Sequence, residues 1–295
     1  MFKKQSKLDI FILISSNILL GILVIAVLIP LIYVIIASVT EPTSLVNNGI
    51  SLNPTKWMLD GYKRVLKDGS LLLGFKNSLV YSVLFAFISV VVTLLVAYPL
   101  SRAGFVGKKF IMSIFVFTMF FGGGLIPTYL LVKNLNMLDT MWSIVLPGAV
   151  NVWNIILCRT YFQGIPKELR EAAIVDGSSD IQYFFKILLP LCKPIIAVLA
   201  LWQFVAQWNS FFDAMMYLKS ATLQPLQIIL RSILVQMQPN PGMISDTAQD
   251  TAQRQQISEL VKYACIVISS LPLMLMYPFF QKYFEKGVLV GSIKG

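Results

Sequence analysis

A chain of 295 residues that is 57% hydrophobic and 13% charged, with a mean hydropathy of +0.75, has too little polar surface for a soluble domain, which carries roughly a quarter charged residues. The net charge is +10 with no histidine, and the lysines and arginines sit in short connectors between apolar runs, the pattern of charge anchored beside lipid headgroups and not of a nucleic-acid-binding face. The lack of histidine removes the commonest metal ligand and general base, and Cys158, Cys192 and Cys265 form neither a ligand spacing nor a disulfide framework, so a membrane enzyme is disfavoured.

The first apolar run, 10–38, follows Lys3, Lys4 and Lys7. It is longer than the roughly 7–15-residue core of a cleaved signal peptide and is expected to be a retained first helix. Further spans are expected at 77–100, 110–132, 141–162, 195–218 and 260–281, each near the ~20 residues that cross a hydrocarbon core. Apolar runs of this length exclude the short alternating strands of a membrane barrel, so the fold class is all-α: a polytopic membrane protein with six transmembrane helices in a single domain over 1–295. Six spans place both termini on one side. Basic density is higher in the N-terminal tail, 102–109, 159–193 and the C-terminus than in the intervening connectors, so that side is the cytoplasm. The outer loop 41–76 is expected to hold a short amphipathic element around 57–66. The loop 223–259, with Gln238-Pro239-Asn240-Pro241, reads as an irregular exposed excursion.

The connector 165–194 is written as two short helices. Pro166 suits a first helical position, Glu168 complements the positive end of a helix dipole, and Gly177 suits a left-handed stop. Leu169, Ala172, Ala173 and Asp176 recur at helical spacing and leave a small, flat face. Ser178 or Ser179 caps a second turn, in which Tyr183, Phe184, Ile187 and Leu188 form an apolar stripe. These features alone suit equally a docking element and an interfacial helix that merely joins two spans.

Glu171-Ala172-Ala173, then Asp176-Gly177, then Ile187, Leu189-Pro190 and Pro194, resembles the EAA signature of permease subunits of binding-protein-dependent ABC importers. The likeness extends over nearly the whole chain. Ala97-Tyr98-Pro99-Leu100-Ser101-Arg102 is similar to the second-helix exit of carbohydrate-type permeases, and Trp208-Asn209 with Phe211-Phe212 to the end of their fifth helix. Tyr283-Phe284, Lys286-Gly287 and Gly291 with Lys294-Gly295 resemble their tail, and the stretch from Phe120 to Tyr129 resembles an oligosaccharide and glycan branch. The match is to the shorter, G-type half of a heterodimeric pair, as in the maltose transporter.

The resemblance implies a type I ABC importer permease in a bacterial cytoplasmic membrane. Its partners would be a second homologous permease, two ATPase subunits and an external solute-binding protein, with a carbohydrate, an oligosaccharide, as cargo. This chain has no Gly-x-x-x-x-Gly-Lys-Ser/Thr loop. It therefore binds no cofactor itself, and ATP and Mg belong to the partner ATPase. Glu171, Ala172, Ala173, Asp176, Gly177, Leu189 and Pro190 are the expected coupling residues, with Glu171 the candidate for an ion pair in a basic ATPase groove.

The solute path is less defined. Gln203, Gln207, Ser210 and Asp213 share one face of the fifth predicted helix, with Asn209 one turn from Asp213. Asn151 and Asn154 are three apart in the fourth. Polar groups in a span line a wet path or bond neighbouring helices as packing glue. Gly122–Gly124 before Pro127 is either a close-packing patch or a gate hinge. Phe211, Phe212 and Tyr217 are stacking platforms for sugar rings or membrane-interface anchors. The competing readings are the same machinery with another solute, such as an amino acid, phosphate or polyol, and a stand-alone secondary transporter. The latter would need inverted repeats or broken helices with buried ion ligands.

Overall fold

The computed structural model describes residues 7–236 and 261–282. The tail motif from Tyr283 to Gly295 and most of the 223–259 loop lie outside the described residues. Among the described residues the secondary structure is helical, apart from one antiparallel bridge between Thr40 and Trp57. The chain divides into two compact units, the first built from Met1–Gly69 with Ser232–Leu271 and the second from Ser70–Arg231 with Pro272–Gly295.

In the first unit, α1 (Lys7–Val39) is a 33-residue helix whose apolar span is unburied within the chain. Pro30 sits inside it. It is followed by α2 (Pro42–Asn48) and α3 (Asp60–Lys67), the latter burying Gly61 and Val65, close to the amphipathic element expected around 57–66. The Trp57 indole N–H donates to the Ser51 carbonyl at 2.9 Å and the Ser38 and Tyr62 hydroxyls share a bond of 2.6 Å, folding this loop back onto the end of α1.

The second unit is organised on α4 (Gly69–Ser101). Gly74, Ser78, Ser82, Ala86, Ser89, Thr93 and Ala97 recur at three- and four-residue steps along it, and all are buried. Small residues at this spacing let neighbouring backbones come close in an apolar medium, where packing and polar bonds replace the hydrophobic drive. Around this seam run α5 (Lys108–Phe120), α6 (Leu125–Asn134), α7 (Trp142–Val145), α8 (Val152–Gln163), α9 (Glu168–Val175), α10 (Asp180–Tyr183) and α11 (Leu189–Leu191). Next come α12 (Lys193–Trp208), α13 (Phe212–Tyr217) and α14 (Leu226–Gln236), and the last described helix is α15 (Val261–Lys282).

Among the described residues three helices are long and apolar enough to cross a membrane: Ile10–Val39, Gly69–Ser101 and Val261–Lys282. Counting each bent pair as one span brings the number to at most five. The structure thus departs from six unbroken helices in three places. The third predicted span bends by 112° between α5 and α6, at a break where Gly124 takes φ +83°, a left-handed angle open to glycine. Among the described residues, chain neighbours aside, nothing lies within 4 Å of where a Cβ would stand on Gly122 or Gly124, which leaves these two glycines to the bend. The fourth is two helices separated at 146–151, because Pro147-Gly148 interrupts the ladder and Asn151 starts a fresh helix. The fifth stops at Trp208 and resumes at Phe212. The excursion after residue 223 also opens with a regular helix, α14.

Candidate functional site

The 165–194 connector folds as a helical hairpin. Glu168 and Glu171 lie in the first turn of α9, where carboxylates offset the unpaired N–H groups. Pro166 stands before the N-cap residue Lys167, outside the helix and not at its first position. At the other end the Gly177 N–H bonds to the Ile174 carbonyl at 3.0 Å and the Ser178 N–H to the Ala173 carbonyl at 2.9 Å. Gly177 has φ +76°, and the three features make a Schellman stop. Ser179, of the two serines expected, then caps α10 in a reciprocal box with Gln182. A π-helical turn, Phe184–Leu188, follows. Pro190 has no N–H for the Lys186 carbonyl and its ring presses on that group, which the wider turn accommodates. At Cys192 the chain bends by 77° into α12.

The hairpin's inner side is fixed. Ala173, Tyr183, Phe184 and Leu188 are buried in one cluster with Leu94, Ala97 and Leu100 of α4 and Ile155, Cys158 and Phe162 of α8, with Leu189 partly buried against it. Its outer side is open: Glu168, Leu169, Glu171, Ala172, Val175 and Asp176 are exposed, and Val175 is 86% exposed. The two alanines of the signature therefore do different things. Ala173, 4% exposed, lets α9 lie against its own core, whereas Ala172 belongs to the open face. Pro190 is also exposed.

Polar contacts tie the hairpin to the end of α4. The Asp180 carboxylate takes Arg102 at 3.0 Å and Arg170 at 3.2 Å, while the Arg102 guanidinium lies 5.3 Å from the centre of the Tyr98 ring. Tyr98 in turn meets Phe184 at 4.8 Å between centroids. Arg159 donates to the Leu100 carbonyl at 3.0 Å and Lys108 to that of Arg102 at 3.2 Å, both satisfying carbonyls at a helix end. Burial pushes the Cys192 thiol up to about 12, leaving it protonated and inert. Glu171 makes no ion pair among the described residues.

The predicted path residues are not gathered at one place. Asn151 accepts the Asn154 N–H at 3.0 Å as the N-cap of α8, and it lines a cleft of about 630 Å³ with Phe115, Thr118, Met119 and Trp153. Asn154 is buried, and buried Gln203 donates to the Ser89 hydroxyl. Gln207 and Ser210 are half-buried, and exposed Asn209 donates back to the Val205 carbonyl at 3.0 Å. Asp213 is half-buried and Phe212 exposed, both in α13. The break at 209–211 interrupts the polar face that a continuous helix would carry from Gln203 to Asp213. Of these residues only Asn151 lines the cleft beside α5.

A second constructed region, unforeseen from sequence, lies at the opposite end of α4. Asp139, with φ +56°, accepts the Lys219 and Ser220 N–H groups, each at 2.8 Å, and the Ser220 hydroxyl at 2.5 Å. The Ser220 hydroxyl, then the two backbone N–H groups, hold its carboxyl below the ordinary 3.8. Asn77 donates to the Thr222 and Gln224 carbonyls at 2.9 and 3.1 Å, Tyr81 to that of Leu223 at 3.0 Å, and the Ser78 hydroxyl accepts the Leu226 N–H at 2.8 Å. The signal was present as an αL-tolerant Asn136 and Asp139 pair, but its partners are some 80 residues away.

Long apolar helices with a core-anchored, outward-facing hairpin are the architecture of a membrane component. The chain belongs to the binding-protein-dependent transport system inner membrane component family, whose profile matches residues 2–290. It is 38% identical over 266 residues to the polygalacturonan/rhamnogalacturonan transport system permease protein YtcP of Bacillus subtilis strain 168, covering 90% of this chain and 92% of that one. It is 29% identical over 271 residues to the arabinooligosaccharides transport system permease protein AraQ of Halalkalibacterium halodurans, covering 90% and 91%. A crystal structure of a bacterial ABC transporter involved in the import of the acidic polysaccharide alginate holds a chain that superposes with a TM-score of 0.83 at 32% identity, covering 96% of this chain and all of that one.

Proposed function

We propose that this chain is the permease subunit of an ATP-driven importer that moves an oligosaccharide delivered by an external binding protein. The family and the carbohydrate cargoes named for its relatives support the transport class. The observation that carries the mechanism is the hairpin with one face locked into the core and the other open. A rigid element moves as a body when pushed, and carries that motion into the helices to which it is anchored. In this reading the open face Glu168–Leu169–Glu171–Ala172–Val175–Asp176 sits in a groove of a partner ATPase, Glu171 pairs with a basic residue there, and Gly177, Leu189 and Pro190 hold the turn and the return to α12. ATP and Mg are used by that partner.

The chain crosses the membrane six times with both termini in the cytoplasm. The pairs α5–α6, α7–α8 and α12–α13 each make one broken span beside the three long helices. A second homologous permease and two ATPases complete the machine, and Asn151, Asn154, Gln207, Asn209, Phe212 and Asp213 are the residues proposed to border the solute path. Co-expression with the sister permease and ATPase should yield a stoichiometric complex that hydrolyses ATP and takes up oligosaccharide only with its binding protein. Uptake by this chain alone would overturn the assignment. Calorimetry of the binding protein against pectic, arabinan and alginate oligosaccharides would name the cargo.

A further inference from the structure

Between the hairpin and the end of α4 lies a cavity of about 500 Å³, bordered on its outer edge by Glu171 of the proposed coupling face. Its lining includes Tyr98, Arg102, Lys108, Lys167, Arg170 and Glu171. Four cations thus face it against one carboxylate, and Asp180, which neutralises part of Arg102 and Arg170, still leaves positive charge in excess. Two polar atoms there are buried without a well-formed hydrogen bond. One is the Arg170 Nε, although the same guanidinium reaches Asp180 through its terminal nitrogen. The other is the Tyr98 hydroxyl, beside Asp180. Lys167 makes no ion pair among the described residues. Guanidinium and ammonium groups converging on one cavity suit an acceptor with several oxygens and more than one negative charge to share.

We infer that this cavity is a binding site for a phosphate group, with Lys167 as its principal donor, Lys108 at its rim and the Arg102 and Arg170 guanidiniums adding positive charge. The placement favours the headgroup of an anionic lipid. The cavity opens at the end of a membrane-crossing helix, where α5 resumes an apolar run after Lys108 and Lys109, and basic pockets between helices on the cytoplasmic side hold such headgroups. The inference rests on the hairpin being cytoplasmic, as proposed above. A bound lipid phosphate would fasten the base of the lever to the bilayer.

The test uses the complete transporter, wild type and with Lys167→Gln or Lys108→Gln, neither of which breaks an ion pair of Asp180. Each is purified, equilibrated with phosphatidylglycerol or phosphatidylcholine, and weighed intact by native mass spectrometry with and without millimolar inorganic phosphate. The expected result is retention of phosphatidylglycerol over phosphatidylcholine by the wild type. Lys167→Gln should weaken it about tenfold, as for loss of one charge-assisted bond, and Lys108→Gln should weaken it less. Displacement of the lipid by inorganic phosphate would assign the same site to the free anion. Equal retention of both lipids by wild type and Lys167→Gln, with no effect of phosphate, would overturn the proposal. The same spectra show whether the ATPase is bound, so failure of the coupling reading appears separately, as an absent subunit.

Discussion

The two ends of α4 carry two constructed regions with opposite habits. At the Gly74–Tyr81 end four polar side chains bond within the chain: the Asp139 carboxylate takes three donors, and Asn77, Ser78 and Tyr81 each bond the backbone of the 222–226 strip. At the Tyr98–Ser101 end the hairpin spends its apolar side on the core and leaves Glu168, Glu171 and Asp176 on an open face. Saturated polar groups mark a region built to stay as it is. The charges left in solvent beside Leu169 and Val175 are those the proposed docking would use, and α4, about 50 Å long at 1.5 Å per residue, joins the two.

The sharpest way to break this contrast is to reverse the charge on the open face. Glu171→Lys should leave the protein inserted and complexed with its sister permease but lower uptake roughly tenfold or more, since a like charge against a basic groove is strongly unfavourable; unimpaired uptake would remove Glu171 from the lever. At the saturated end the largest effect should come from Gly74→Val. A Cβ there already meets the Leu226 backbone at 3.3 Å and the Ile229 side chain, and overpacking of this kind costs about 1–3 kcal/mol. A lowered melting temperature with the ATPase still bound is the expected pair of readings.

Gly177→Ala should act more gently, costing about 1–2 kcal/mol for a left-handed residue, and should loosen the hairpin without touching the Asp139 region. Hydrogen exchange at 168–178 reads that difference. The smallest effect is a pH dependence. Because the Asp139 carboxyl lies below its ordinary 3.8 in the fold, its stabilisation is complete above that pH and fades as the pH falls through the lower folded value. Asp139→Ala should flatten the acid limb of the melting curve below pH 4 and leave neutral-pH uptake coupled.

Much of the hairpin was legible because its cues are local. A glycine stop, a serine cap and an apolar stripe are read within a dozen residues, and the EAA pattern points to the same segment. Its polarity was not legible: Ala172 and Ala173 look alike in sequence, and only the packing of α9 on Leu94, Ala97 and Phe162 sends one inward. The three long helices α1, α4 and α15 were legible as apolar runs, since hydropathy reports solvent preference. The breaks in the other apolar runs were not, because hydropathy does not register backbone geometry, although Pro147-Gly148 and Gly122–Gly124 carried the information. The small-residue seam of α4 was hidden inside an apolar run, and the Asp139 region depends on partners far along the chain.

The most direct test of the lever is cross-linking from the two alanines in the assembled transporter, where the native Cys158, Cys192 and Cys265 are all buried. Cysteine at position 172 should cross-link efficiently to the ATPase subunit through a short thiol-reactive linker, and cysteine at position 173 should not. Equal labelling of the two positions, or a cross-link from 173 alone, would contradict an open Ala172 face docked on the ATPase.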